Sequence, residues 1–350
     1  MVWHAPYACG RCDAGITRDL HLEGEIDVVL RVAAPSLGET RWAETRIHLT
    51  DDADSIEVQE VSLPRLNGAF ARPKAASTLP LPAILLLHGS EGDSRASARA
   101  AAIRFAHLGY AAFALNYFAW PAAGLTGVAQ AFVDIPVEDL ATARAWLMSQ
   151  PGVDARRVAI WGASKGAEFA LVGAAHYSWI DRVVACVPSN VVWSGFGRPP
   201  VEGEVYSSWS IDGKGLPNIP YGKYQDVLDN KFSAAFVHQR SLAKTTSEQR
   251  AAARIPIEKS AARFLLLAAT NDVVWPSGTM TQEIEKAIVG VQTKAVVRSL
   301  VFPNASHFIC GTGSEPRRVD LVHKPEGDDP SPEADAHAAQ TGRKETRAFL

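Results

Sequence analysis

The stretch Arg157-Val158-Ala159-Ile160-Trp161-Gly162-Ala163-Ser164-Lys165-Gly166-Ala167-Glu168-Phe169-Ala170-Leu171-Val172-Gly173 changes character at its middle. Val158 to Trp161 is a short apolar run rich in strand formers, and beyond Gly166 the residues Phe169, Val172 and Gly173 fall at helical spacing. Between them stands Gly-x-Ser-x-Gly, the pattern of a strand that reverses into a helix through a strained turn and lifts one serine hydroxyl clear of a sheet. Gly162 and Gly166 suit the turn because a Cβ at either position would run into neighbouring backbone. A pentapeptide of this kind also arises by chance. Its strand-turn-helix setting is what makes Ser164 a candidate nucleophile.

Working outward, Ala83-Ile84-Leu85-Leu86-Leu87 is an unbroken apolar run, the mark of a strand buried on both faces of a parallel sheet. It leads into the loop His88-Gly89-Ser90-Glu91-Gly92-Asp93. An alanine-rich helix is predicted from about Ser94 to Leu108, a strand over 111–117 and a helix over about 136–149. Past the serine, strands are predicted over 183–187, 263–269 and 296–302, a helix over about 277–289, and a terminal helix over 332–350 after a loop over 311–330. This alternation specifies an α/β architecture, a mostly parallel central sheet with helices on both faces.

Ahead of it, residues 1 to about 18 read as an irregular arm. Two or three strands follow between His21 and Thr50, with a turn at Pro35–Gly38, then a break at Asp51–Asp54 and a strand pair over 56–73. Residues 1–55 are therefore taken as a short β-rich segment and 56–350 as the main domain. The section 188–256 leaves the strand-helix rhythm and carries many aromatics among Gly and Pro, which suggests a cap-like excursion. Trp193 and Trp209 within it, and Trp275 beyond, are candidates to line an apolar substrate pocket. The plain alternative is that they pack the excursion onto the core.

Composition limits the partners. With 350 residues, 47% hydrophobic content, 21% charged residues and a net charge of -3, the chain can bury a large core and offers no basic run for nucleic acid or anionic membrane. No apolar run is long enough to span a bilayer and the N-terminus lacks signal-peptide character, so a cytoplasmic location is expected. Cys9, Cys12, Cys186 and Cys310 are too few and scattered for a disulfide framework, and the Cys9-x-x-Cys12 pair has no second pair to complete a zinc site. No metal and no cofactor is expected, and the sequence does not specify an oligomeric state.

Asp272 and His307 each stand just past the carboxyl end of a predicted buried strand, as Ser164 does, on the edge where open α/β sheets assemble their sites. A serine hydroxyl needs a base to take its proton. Imidazole can take and return it, and a carboxylate on the far ring nitrogen fixes the tautomer. A lone Asp at a strand end is usually a helix cap and a lone His a packed residue, but three such residues in the order Ser, Asp, His at three strand ends read as a triad. Oxyanion donors are expected from the backbone N–H of Lys165 and from Ser90 or Glu91. His88 is read as a loop-shaping residue.

Taken together, Ile160-Trp161-Gly162-Ala163-Ser164-Lys165-Gly166-Ala167-Glu168, Val191-Val192-Trp193, Ser208-Trp209 with Gly213–Pro217, Ile255–Lys259 and Asn271–Ser277 resemble the acyl-CoA thioesterase and bile acid-CoA:amino acid N-acyltransferase family. The resemblance covers roughly residues 80 to 350, the family's C-terminal catalytic domain. It implies an α/β-hydrolase fold, Ser164, Asp272 and His307 as the triad, and a small-molecule acyl thioester, acyl-CoA, as substrate. Serine at the nucleophile position is similar to the thioesterase members, which favours water over an amine as acceptor. The loop His88–Gly92 is closer to those of dienelactone hydrolases and esterases, which keeps an oxygen ester as the alternative substrate and amino acid N-acyl transfer as a further one. Residues 1–55 are too few for the β-sandwich that usually precedes this domain in the family.

Overall fold

The computed structural model describes residues 26–33, 42–49, 55–74, 79–198, 205–221, 234–310 and 330–350. The expectations for Cys9, Cys12, residues 1–18, 34–41 and 51–54, and all but the last residue of the 311–330 loop, lie outside them.

In chain order the elements begin with β1 (Ile26–Ala33) and β2 (Trp42–Leu49), an antiparallel pair, and β3 (Ile56–Leu63) and β4 (Leu66–Pro73). β5 (Leu81–Leu87), α1 (Arg95–Ala106), β6 (Ala111–Leu115), β7 (Ile135–Pro136), α2 (Glu138–Met148), β8 (Val153–Ala163) and α3 (Lys165–His176) follow. The rest are β9 (Ile180–Cys186), β10 (Trp209–Ile211), β11 (Lys214–Gly215), α4 (Ala234–Lys244), α5 (Ser247–Ala253), β12 (Arg263–Ala269), α6 (Ser277–Ile288), β13 (Val296–Phe302) and α7 (Pro332–Phe349).

Eight strands form one sheet in the order β3-β4-β6-β5-β8-β9-β12-β13, antiparallel at the β3-β4 end and parallel from β6 onward. This is the α/β-hydrolase fold. The continuous apolar runs are explained by alternation, since successive side chains of a strand point to opposite faces and both faces are covered. Leu85, Leu87, Phe113, Ile160, Val183, Phe264 and Leu266 face α2, α3 and α6, packing with Leu140, Leu147, Phe169 and Ile284. Ile84, Leu86, Ala112 and Ala114 face Ala98, Ala102 and Phe105 of α1, and Val184, Leu265 and Leu267 face Ala338 of α7. Local signals set the helix starts. Ser94 caps α1 by accepting from Ser97 N–H, and Ser331 caps α7 by accepting from Ala334 N–H with Pro332 in the first turn.

The 188–256 section holds more regular structure than its composition suggests. Among the described residues, β10 pairs in parallel with β7 and antiparallel with β11, and α4 and α5 lie in the same section. Strands of two or three residues are too short to show a period of two, which is why they read as loop.

A second difference concerns cysteine. Cys186, at the end of β9, and Cys310, just after His307, form a disulfide with Cα atoms 5.7 Å apart, across a sequence separation of 124. Nothing in the spacing signals it, because only the fold brings the two strand ends together. Disulfides are rare in the cytosol, so the pairing sits against the expected cytoplasmic location. No helix among the described residues is long and apolar enough to cross a membrane.

Two stability measurements follow from this packing. A Cβ on Gly166 would lie 2.3 Å from the Leu87 carbonyl oxygen and 2.4 Å from that of His88, so Gly166→Ala should cost about 2–3 kcal/mol in urea unfolding. Closing so long a loop means that Cys310→Ser should cost about 5 kcal/mol, and the variant's Tm should match that of the wild-type protein in excess dithiothreitol.

Candidate active site

Three strand ends deliver the three expected side chains to one point. His307 Nε2 lies 2.9 Å from Ser164 Oγ, and His307 Nδ1 lies 2.8 and 2.9 Å from the two carboxylate oxygens of Asp272. A carboxylate only accepts, so Nδ1 carries the proton and Nε2 is left as the acceptor for the serine hydroxyl. Asp272 is itself fixed, since its Oδ1 also accepts from the backbone N–H of Val274 (2.9 Å) and of Trp275 (3.1 Å). His307 and Asp272 are buried, and the Trp275 ring stands edge-on to the imidazole at 5.2 Å.

Ser164 occupies φ 54°, ψ -119°, outside the regions open to most residues. The chain enters the turn from β8 and leaves into α3 within one residue, and Ser164 N–H is held by the Cys186 carbonyl at 3.0 Å. Space for the turn exists only without side chains on its flanks. A Cβ on Gly162 would sit 2.3 Å from the Gly166 carbonyl oxygen.

Among the described residues, the backbone N–H groups of Lys165, Ser90 and Glu91 make no hydrogen bond to a protein acceptor. They remain available as donors to a ligand. The Glu91 side chain turns back to accept from Gly89 N–H at 3.0 Å, which stiffens the loop. His88 contributes to the same end. Its Nδ1 is 2.8 Å from the Gly89 carbonyl oxygen, its ring stacks on Tyr117 at 4.1 Å, and Tyr117 OH donates to its carbonyl. Burial pushes the Tyr117 phenol well above its ordinary range, so it stays a donor.

Trp193, Trp209 and Trp275 do not present an open wall. They are 0, 0 and 2% exposed. Trp209 is stacked on Phe169 at 4.3 Å and borders Tyr117 and Phe132, while Trp193 is stacked on Tyr221 and edge-on to His238. Trp275 thus packs against the triad histidine, while Trp193 and Trp209 pack against neighbouring rings. Trp275 also donates from its indole to the Val187 carbonyl at 3.1 Å. A cleft of about 530 Å³, lined by Asn190, Leu242, Arg250, Arg254 and Glu283 among others, contains none of the triad.

Sequence reasoning missed several residues that hold the site. Glu168 is fully buried and accepts from Lys165 Nζ (2.8 Å), Trp193 N–H (3.0 Å) and the Trp209 indole N–H (2.8 Å). Burial pushes the Glu168 carboxyl up and the Lys165 ammonium down, and their mutual attraction works against both. Asp335 of α7 accepts from Ser306 N–H (2.5 Å) and Ser306 Oγ–H (2.6 Å), fixing the residue before His307. Val187, a β-branched residue at φ 46°, turns the chain out of β9 beside Ser164. Only Glu168 has a signal in the sequence, a lone carboxylate among the apolar and small residues of the elbow helix.

The model of the family BAAT / Acyl-CoA thioester hydrolase C terminal matches residues 135–311, just over half the chain, and that of the Dienelactone hydrolase family matches residues 66–194. No curated protein sequence matches. Among solved structures, a provisionally named dienelactone hydrolase of Klebsiella pneumoniae is 18% identical, with 84% of this chain and 98% of that one covered at a TM-score of 0.49. A puromycin-hydrolyzing peptidase of Mycobacterium tuberculosis is 14% identical, with 92% and 45% covered at 0.51, and a hyperthermophilic esterase of Pyrobaculum calidifontis is 15% identical, with 84% and 87% covered at 0.44. At 14% identity and a TM-score of 0.51 the peptidase speaks to the fold alone. The family match does more: with its elbow, its strand order and the span of that model, this chain belongs to the BAAT / acyl-CoA thioester hydrolase C-terminal family of hydrolases.

Proposed function

We propose that the protein is a serine hydrolase that cleaves an acyl thioester, acyl-CoA by preference, through an acyl-enzyme on Ser164. The observation that carries the reading is the hydrogen-bonded line Ser164 Oγ, His307 Nε2, His307 Nδ1, Asp272, set at a strained strand-to-helix turn. The family match supports an acyl thioester as the substrate class.

In the first half-reaction His307 Nε2 takes the hydroxyl proton as Oγ bonds to the thioester carbonyl carbon. The negative charge that develops on the carbonyl oxygen falls to the N–H of Lys165 and of Ser90 or Glu91. Collapse breaks the carbon–sulfur bond, and the imidazolium returns its proton to the leaving thiolate. Water then repeats the sequence on the serine ester, giving the free acid and restoring Ser164. Asp272 holds the tautomer and stabilises the imidazolium in both halves.

An oxygen ester is the second reading. It is favoured by the dienelactone hydrolase model, which spans residues 66–194 and so includes both the His88–Gly92 loop and Ser164. Transfer of the acyl group to an amine is the third outcome of the same acyl-enzyme, and serine rather than cysteine at position 164 weighs toward water. A panel of acyl-CoAs and matched oxygen esters, with and without glycine or taurine and with products identified, decides among them. The expected result is free acid and CoA, with kcat/KM for the thioester above that for the ester. N-acyl products would replace the reading with acyltransfer.

A fluorophosphonate probe should label Ser164 and no other residue, and labelling that survives Ser164→Ala would remove the nucleophile assignment. His307→Ala should lower kcat by about 10⁴ with the fold intact by circular dichroism, and Asp272→Asn by a similar order through the wrong tautomer.

A further inference from the structure

Lys165 and Glu168 are charged, adjacent to the nucleophile and almost wholly enclosed, yet the hydrolytic steps above use neither side chain. An ion pair in such a place carries a desolvation cost that a pair of apolar side chains would avoid, and the best-attested return on such a cost is a unique arrangement of parts. The bonds show which parts are arranged. Glu168 spends one oxygen on Lys165 Nζ, its i−3 neighbour on α3. The other accepts from two points of the 188–221 segment that are 16 residues apart in sequence, the Trp193 backbone and the Trp209 indole.

From Trp209 the contact continues. Its ring lies flat on Phe169 and 5.8 Å from Tyr117, and Tyr117 OH holds the His88 carbonyl at the start of the Gly89-Ser90-Glu91 loop. The Lys165 ammonium sits 5.3 Å from the Phe132 centroid and 5.5 Å from that of Trp209, so the cation is held by two ring faces as well as by the carboxylate. One carboxylate thus ties the elbow helix to the aromatic segment, and the aromatic segment braces the loop that offers the second N–H donor.

We propose that Glu168, held in place by Lys165, is a positioning residue for acyl transfer: its hydrogen bonds to Trp193 and Trp209 fix the distance between the elbow and the His88–Glu91 loop, and so the separation of the two oxyanion donors. This rests on Ser164 being the nucleophile. Replacing Glu168 alone would strand a buried ammonium, so the test uses pairs. Lys165→Met/Glu168→Gln removes both charges and leaves a side-chain carbonyl to accept from the two tryptophan N–H groups. Lys165→Met/Glu168→Met removes the acceptor as well. Trp209→Phe deletes one donor and keeps the ring.

Each protein is measured with p-nitrophenyl butyrate and with butyryl-CoA, with kcat expressed per site titrated by a fluorophosphonate, so that partly unfolded protein drops out of the comparison. The Glu168→Met pair should turn over at least tenfold more slowly per site than the Glu168→Gln pair, with KM within threefold and with a parallel loss in the rate of fluorophosphonate labelling. Trp209→Phe should show a loss of about threefold or more of the same kind. Equal kcat per site in the two paired variants overturns the proposal, whatever their melting temperatures. If the Glu168→Met pair does not fold, Trp209→Phe decides, and an unchanged kcat overturns it. Ser164→Ala, labelled alongside, separates a failed nucleophile assignment from a failed positioning role.

Discussion

The architecture depends on one backbone constraint, a serine held at φ 54° between a strand and a helix. Residues other than glycine occupy such a conformation at a cost and only when the surroundings leave no alternative. Here the surroundings are explicit. Ser164 N–H is taken by the carbonyl of Cys186 on the next strand, and α3 begins at once, so that its first turn is built against the ends of β5 and β8. The absence of a Cβ at Gly162 and Gly166 lets those backbones meet. Because Gly166 lies against the carbonyls of Leu87 and His88, the same close approach that permits the turn also sets the loop that carries Ser90 and Glu91. Strain at one residue thereby fixes two of the parts an acyl-transfer site needs.

The histidine side is held by different means. His307 stands in a short turn after β13, and three separate ties reach that turn: Asp335 through Ser306, the Cys186–Cys310 disulfide, and Ser331 N–H to the Asn304 carbonyl. Two of these come from α7 or its cap, at the far end of the sequence. Cys186 takes part on both sides, since its carbonyl holds the Ser164 amide while its sulfur reaches the histidine turn. A short distance between Oγ and Nε2 is thus a property of the packed sheet edge, which neither loop could maintain alone.

Much of this was legible in the sequence because its signals are local. The apolar runs 83–87 and 263–269 mark strands buried on both faces, Gly-x-Ser-x-Gly marks the reversal, and Asp272 and His307 follow strands closely enough to be placed on the same edge as Ser164. What stayed hidden is non-local. The disulfide joins cysteines 124 residues apart, Asp335 meets Ser306 from another element, and Val187 adopts a positive φ that its residue type argues against. The 188–256 section reads as a cap-like excursion without elements of its own because its strands are two or three residues long, although Thr246 and Gln249 carry the capping-box spacing that announces α5. The tryptophans read as pocket-lining are buried because, in this stretch, large aromatics pack against one another and against Glu168.

In the proposed reaction an acyl group passes from a thioester to Ser164 before it reaches water. Acid-quenching the protein during turnover of butyryl-CoA and mapping the adduct by mass spectrometry tests it directly. A butyryl ester is expected on the peptide that contains Ser164, formed on the timescale of CoA release. CoA released at the full rate with no acylated peptide, or with the acyl group on another residue, would contradict it.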